Sequence, residues 1–267
     1  MSQAFKLDKT KMRQSFSAAS STYDSVAVLQ RDIGKALLST FTVNPCAETF
    51  LDLGCGTGFL TKEWLNSVES RHLMAMIALD IALPMLEQAR IKLIPQQKLH
   101  YICADTERLP LAAKTVDCVF SNLAFQWCRN PELLFADIKR IIKPGGQLLF
   151  STFGQQTLQE LKAAWATVDD YCHVNEFYTE LQLYHYLTGA GFKEIQITTK
   201  LYVPTYGSVV ELMRELKLIG AHNVAAGSNK HLTSNTQLQK MIMAYDIHRA
   251  DNRLPATFSA ILISAKV

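Results

Sequence analysis

The sequence has no run of about 18 consecutive apolar residues, the length a membrane-spanning helix needs, so no span is expected. Its first 13 residues are polar and basic with no apolar stretch behind them, which argues against a secretory signal. Charge imbalance is also missing. Lys and Arg total 27 against 24 Asp and Glu, a formal +3. That is too weak for a nucleic-acid binder, though it tolerates an acidic partner. The six cysteines, at 46, 55, 103, 118, 128 and 172, form no CxxC pair. Cys103 in LHYIC and Cys118 in VDCVF lie inside apolar runs, so reduced thiols in a cytoplasmic protein are expected. The seven histidines lack metal-ligand spacing, and no metal site is expected. No repeat or low-complexity tract occurs. An apolar share of 48% with 19% charged residues excludes a disordered chain. A chain of 267 residues buries enough surface to fold without staples.

What is present is alternation. Between residues 48 and 153, strand-like runs at Thr49–Leu53, Leu73–Leu79, Leu99–Cys103, Val116–Ser121 and Gln147–Thr152 are interleaved with helical patterns. The helical patterns are Phe59–Val68, Pro84–Leu93 and Pro131–Ile141, and Pro84 and Pro131 suit a first helical turn. Strands alternating with helices imply βαβ units, hence an α/β fold: a parallel sheet with helices on both faces. Lys143-Pro144-Gly145-Gly146 separates the last helix from the fifth strand. Beyond 153, helices are expected at Gln155–Asp170 and Leu181–Leu187 and strands at Lys193–Leu201 and Ala256–Lys266. Between those last two strands, Ser208–Ile219 and Thr233–His248 read as helices. A connection this long is unusual and suggests an inserted lid over the sheet edge. Asp8–Thr40 reads as a helical cap. The expected layout is one domain over 1–267: cap 1–47, core 48–201, lid 202–254 and last strand 255–267.

The chemistry concentrates at strand ends. Residues 50–58, Phe-Leu-Asp-Leu-Gly-Cys-Gly-Thr-Gly, run from a strand through a glycine turn into a helix. Ligands of open parallel sheets bind at such carboxyl ends. Gly54 and Gly56 permit tight turning and close approach, and the next helix offers free N–H groups. Phe59 stands where a dinucleotide fingerprint wants its third glycine. Asp52 suits a ligand with a cationic amine and repels pyrophosphate. Asp80, ending the second strand, is placed to accept from a ribose diol. Asp105, after the third, can accept from an exocyclic amine such as that of adenine or act as a turn cap. Ser121-Asn122 ends the fourth. Four polar strand ends describe a nucleoside with an amino-acid-like tail, and S-adenosylmethionine fits this better than NAD.

The set DLGCGTG, Asp80, Asp105 and Asn122, with PGG before the fifth strand, resembles the Rossmann-like class I methyltransferases. The resemblance implies a seven-stranded sheet ending in an antiparallel pair. It also implies S-adenosylmethionine as cofactor, with a site of Asp52, Leu53, Gly54, Gly56, Asp80, Ile81, Met85, Asp105, Thr106, Asn122 and Leu123. The flanks are similar to the malonyl-[acyl-carrier-protein] O-methyltransferases of biotin synthesis. The matching pieces are Phe16-Ser17-Ala18-Ala19, Thr22-Tyr23-Asp24, Val28-Leu29-Gln30, the stretch Asn122 to Cys128, Phe150 to Gly154, and Leu212 to Asn223. This resemblance implies methyl transfer to the free carboxylate of a malonyl thioester on acyl carrier protein or coenzyme A, with no nucleic acid or membrane partner.

A carboxylate is ionised at neutral pH, so no general base, and hence no catalytic residue in that sense, is expected. Arg214 is the candidate for positioning that carboxylate; a solvated helix face beside Glu211 and Glu215 is the alternative. Tyr23 either closes over the cofactor or packs as an aromatic, and Gln126 and Trp127 either meet substrate or pack their loop. His173 and Asn175 read as substrate contacts or as a capped loop. Lys217, His222 and Lys230 suit an acidic carrier protein or its arm's phosphate, or are plain surface. Three other readings stay open: methylation of a free small acid such as trans-aconitate, a methyltransferase-like assembly or binding protein, and a dinucleotide oxidoreductase, which Phe59 and Asp52 disfavour. If Asp80 holds the ribose, Asp80→Ala abolishes cofactor binding in titration calorimetry; unchanged affinity would remove Asp80 from the site.

Overall fold

The computed structural model describes residues 7–40, 42, 44, 46–67, 72–93, 98–221 and 233–267. The N-terminal segment folds as three helices, not one: α1 (Lys9–Ala19), α2 (Tyr23–Val26) and α3 (Val28–Thr40). Asp8 caps α1, its side chain accepting from the backbone N–H of Thr10 and Lys11 at 3.0 and 3.1 Å. The break follows from Ser20-Ser21-Thr22, residues whose hydroxyls compete for backbone groups. Thr22 donates to the carbonyls of Ala19 and Leu218 at 3.2 and 2.9 Å, which pins the corner instead of extending the helix.

The core follows as β1 (Thr49–Leu53), α4 (Phe59–Leu65), β2 (Ala75–Asp80), α5 (Leu83–Lys92), β3 (Leu99–Cys103), β4 (Val116–Asn122), α6 (Pro131–Ile141) and β5 (Ile142–Phe153). Next come α7 (Gln159–Ala166), α8 (Glu180–Ala190), β6 (Lys193–Tyr202), β7 (Thr205–Tyr206), α9 (Val209–Leu218), α10 (Asn235–Asp246), β8 (Leu254–Pro255) and β9 (Phe258–Lys266). Seven strands form one sheet in the order β3-β2-β1-β4-β5-β9-β6. The first five run parallel, and β9 is antiparallel to both β5 and β6. Alternate side chains go to opposite faces. From β1, Leu51 and Leu53 join the cluster holding Leu134 and Ile138 of α6 and Leu187 of α8. Phe50 points the other way, to Ile33 and Leu37 of α3, Trp64 of α4 and Leu86 of α5. Burial on both faces explains why these strands read as nearly continuous apolar runs.

The segment between β6 and β9 is helical in α9 and α10 but also contributes β7 and β8, which pair as a two-stranded sheet. It does not cover the sheet edge as expected: β6 remains largely exposed. Instead Leu212, Met241, Tyr245 and Leu254 pack with Leu161 and Trp165 of α7 and Phe258 of β9. The segment therefore sits at the carboxyl end of β5, near the strand ends that matter for ligand binding. No described helix is long and apolar enough to cross a membrane.

β5 begins five residues earlier than the expected Gln147, because Lys143-Pro144-Gly145-Gly146 is extended and forms an irregularity opposite β4. A Cβ on Gly146 would lie 2.6 Å from the Asp117 carbonyl and 2.5 Å from the Ile142 side chain. Gly146→Ala is therefore expected to lower stability by about 1–3 kcal/mol through overpacking, read by urea denaturation. An unchanged midpoint would show that this junction yields freely.

Candidate functional site

β1 is flanked by β2 and β4, so the sheet order reverses there and a crevice opens beyond its carboxyl end. The glycine turn fills that position. The N–H groups of Gly54 and Cys55 both donate to the Leu79 carbonyl, at 2.8 and 3.0 Å, locking the turn onto β2. Gly54 has φ +80°, and a Cβ there would lie 2.5 Å from the Ala124 Cβ. Gly56 has φ +53° and a Cβ there would meet nothing within 4 Å. One glycine is thus required by packing against its neighbours, and the other leaves an open cradle.

The Asp80 carboxylate holds the cradle's far side. Its Oδ2 accepts from Gly56 N–H at 2.9 Å and its Oδ1 from Ala82 N–H at 2.8 Å. Burial raises its pKa, with those backbone N–H groups pulling the other way. The carboxylate also lines the cavity, where its acceptor oxygens suit a diol. A cavity runs from Gly54, Gly56 and Asp80 past Ile81 and Met85 to Asp105 and Thr106, and back to Asn122 and Leu123. All the expected cofactor residues but Asp52 and Leu53 line it. The cradle and the twice-anchored carboxylate fit a ribose-bearing ligand.

Asp52 is corrected by the structure. It is 1% exposed, and its Oδ2 accepts from Thr61 Oγ at 2.5 Å, beneath the turn. Burial pushes the carboxyl up to about 7, the Thr61 hydrogen bond opposes this, and the Asp80 charge adds to it. Leu53 is wholly buried in the sheet core. Asp105 lines the cavity, but both its oxygens accept from Lys9 Nζ, at 2.8 and 2.6 Å, and Lys9 also pairs with Glu107 at 2.6 Å. Burial alone would lower the Lys9 pKa, but these two carboxylates outweigh it and the net shift is upward. The expectation that Asp105 stands ready for an exocyclic amine thus meets a competitor from α1.

α1 forms a roof. Lys9, Met12 and Phe16 line the cavity at helical spacing, a face that periodicity in the sequence offered and that the strand-end reading passed over. Tyr23 lines the side of the cavity, and its pKa is raised first by burial and then by the Asp80 and Asp24 charges. Asp24 accepts from Thr57 Oγ at 2.6 Å, tying α2 to the glycine turn. With the roof in place the cavity measures about 80 Å³, below the roughly 300–1,000 Å³ of small-molecule sites.

A second cavity, also about 80 Å³, lies beyond Trp127, which lines both. Phe16 meets the Trp127 ring edge-on at 5.3 Å. Gln126, His173 and Asn175 line this second space, together with Gln30 of α3, which the sequence offers only within the Val28-Leu29-Gln30 resemblance, with no site role. Gln126 is held by its own loop: it donates to the Leu123 carbonyl at 2.7 Å and accepts from Thr152 Oγ at 3.2 Å. Asn122 likewise bridges elements, donating to the Gln30 carbonyl at 2.9 Å and accepting from Ser151 Oγ at 2.6 Å. Arg214 and Lys217 line neither cavity; both are exposed on α9, whose Leu216 faces inward. His222 and Lys230 lie outside the described residues. Among the described residues no group of three His, Cys, Asp or Glu side chains is placed to hold a metal ion.

Residues 51–150 match the family described as Methyltransferase domain. The chain is 38% identical over 266 residues to the malonyl-[acyl-carrier protein] O-methyltransferase of Methylovorus sp. (strain MP688), covering 97% of this chain and 88% of that one. It is 39% identical over 255 residues to the biotin biosynthesis bifunctional protein BioHC of Cellvibrio japonicus (strain Ueda107), covering 94% of this chain and 49% of that one. Among solved structures, Haemonchus contortus phosphoethanolamine N-methyltransferase 2 in complex with S-adenosyl-L-methionine aligns with a TM-score of 0.56 at 16% identity, over 94% of this chain and 57% of that one.

The Asp52 environment has a pH consequence. An unfolded aspartate titrates near ~4, whereas burial holds the folded carboxyl at about 7. Between those values the folded chain keeps a proton that the unfolded chain has lost, so this contribution to stability declines as pH rises through the window. Asp52→Asn keeps an acceptor for Thr61 and cannot ionise. Its melting temperature relative to the parent is expected to climb from about pH 4 to 7. A difference independent of pH would place the Asp52 titration at its ordinary value.

Proposed function

The chain belongs to the malonyl-[acyl-carrier protein] O-methyltransferase family, and from that premise we propose how its site carries out methyl transfer from S-adenosylmethionine to the free carboxylate of a malonyl thioester in biotin synthesis. One observation carries the reading: two cavities meet at Trp127, at the carboxyl end of the sheet. The first has the cradle and carboxylate that suit a nucleoside, so the second falls to the acceptor.

When bound, S-adenosylmethionine supplies a methyl group on a positively charged sulfur. Bound there, its sulfonium would give the methyl to a carboxylate oxygen, the S–CH₃ electron pair staying on sulfur. The products are the methyl ester and S-adenosylhomocysteine, and no proton moves. Asp80 and the Gly54–Gly56 turn hold the nucleoside. Tyr23 and the α1 roof exclude water, whose hydration of the carboxylate would weaken it as a nucleophile. The wall at Trp127 sets the approach of the two reactants. The described lining of the second cavity carries no Lys or Arg. That suits a carboxylate that must stay reactive, because a tight cationic clamp would blunt it.

Arg214 and Lys217 are better placed outside the site, toward an acidic carrier. The acids on the same helix are occupied: Glu215 accepts from Tyr206 OH at 2.8 Å and Glu211 from Gly207 N–H at 2.6 Å. The six free cysteines suit a reducing cytoplasm.

The test is transfer of labelled methyl to malonyl-acyl carrier protein, with malonyl-coenzyme A, trans-aconitate and unloaded carrier in parallel. Label on the malonyl thioesters, released by mild ester hydrolysis, is expected. Label on trans-aconitate alone would move the assignment to free acids.

A further inference from the structure

The second cavity holds two amide side chains that methyl transfer itself does not use. Gln30 from α3 and Asn175 from the segment between α7 and α8 are each 9% exposed. The Gln30 Oε1 and Asn175 Oδ1 atoms are buried and accept no hydrogen bond. The polar groups beside them are engaged. Gln126 bonds its own loop at both ends. His173 Nε2 lies 2.7 Å from Asp169 Oδ1, with its ring stacked on Trp165 at 3.8 Å. Buried carbonyl oxygens without donors are unfavourable and rare in folded proteins. Two in one cavity call for donors on the ligand.

The acyl group cannot supply them. A malonyl thioester offers carboxylate and carbonyl oxygens, all acceptors. The arm that carries it on a carrier protein or coenzyme differs, because secondary amide N–H groups lie a few bonds from the thioester sulfur. A free small acid has no such groups. Position supports the arm as well. An outer cleft of about 650 Å³ runs along α7, and His173, Val174 and Phe177 line both it and the inner cavity. Asn175 lies between Val174 and Glu176, two residues of the outer cleft, and is itself among the residues lining the inner space.

We propose that Asn175 and Gln30 accept hydrogen bonds from the amide N–H groups of the thioester arm, which enters from the outer cleft past His173, and that this pair selects arm-borne acceptors over free acids. The inference rests on the malonyl-thioester reading above.

Two synthetic acceptors test it on the full chain: malonyl-S-N-acetylcysteamine, which carries one amide N–H, and its analogue with an ester oxygen in place of that N–H. The parent protein is expected to favour the amide by about tenfold or more in kcat/KM, since a buried acceptor left unpaired penalises the analogue. In Asn175→Leu or Gln30→Met the preference is expected to shrink, with cofactor affinity retained as the check on folding. Equal use of the two acceptors by the parent would overturn the inference, as would a preference that survives in both variants. No transfer to either compound by a protein that binds cofactor would overturn the malonyl-thioester reading and the inference with it.

Discussion

The Asp80 carboxylate is the point on which the site depends. One oxygen fixes the glycine turn through Gly56 N–H, and the other fixes the start of α5 through Ala82 N–H. Two crossovers of the sheet are thereby held at a set separation, with the Leu79 carbonyl receiving Gly54 and Cys55 one residue earlier. The same group lines the cavity, so one side chain both ties the turns together and faces the open space. Its burial opposes its charge, and the backbone N–H groups offset part of that opposition. A cationic ligand nearby would favour the ionised form further.

The N-terminal helices turn this half-open crevice into two rooms. α1 reaches Asp105 and Glu107 through Lys9 and Trp127 through Phe16. α2 reaches the glycine turn through Asp24. α3 brings Gln30 to the acceptor side and takes Asn122 onto its backbone. The contact of Phe16 with Trp127 makes the roof of the first cavity part of the wall of the second. The roof of one cavity and the wall of the other are thus set by a single ring contact.

The parallel core was readable because its strands are buried on both faces and bounded by turn residues. Thr49–Leu53 and Leu99–Cys103 agree with the sequence reading to the residue. The meeting of Gly54, Asp80 and Asn122 at one cavity was readable for a related reason: strand ends of a parallel sheet converge. Asp52 was misplaced by treating every polar strand end as ligand-facing. Alternation along β1 sends it to the face where α4 packs, and Thr61 on that helix is its partner. Arg214 was drawn into the site by a motif, although Leu212 and Leu216 on the same helix turn inward and leave it outside. Asn175 lies in an irregular segment with no period to reveal its direction. The Ser20-Ser21-Thr22 run could have signalled the break between α1 and α3, whereas the contact of Thr22 with Leu218, nearly 200 residues away in sequence, leaves no local trace.

In the proposed mechanism the site works by placement and water exclusion, with an acceptor that arrives already ionised. The pair that could contradict it is His173 with Asp169, beside the acceptor cavity and oriented as a base would be. The direct test is the pH dependence of kcat at saturating cofactor and malonyl thioester, between about pH 6 and 9, well above a free carboxyl's range. Asp52→Asn is run in parallel so that the titration of that buried carboxyl is not mistaken for a base. The account requires a flat profile in the variant. A rise with a midpoint in the histidine range, lost in His173→Gln, would show that proton transfer through His173 limits the reaction and would overturn a mechanism without a base.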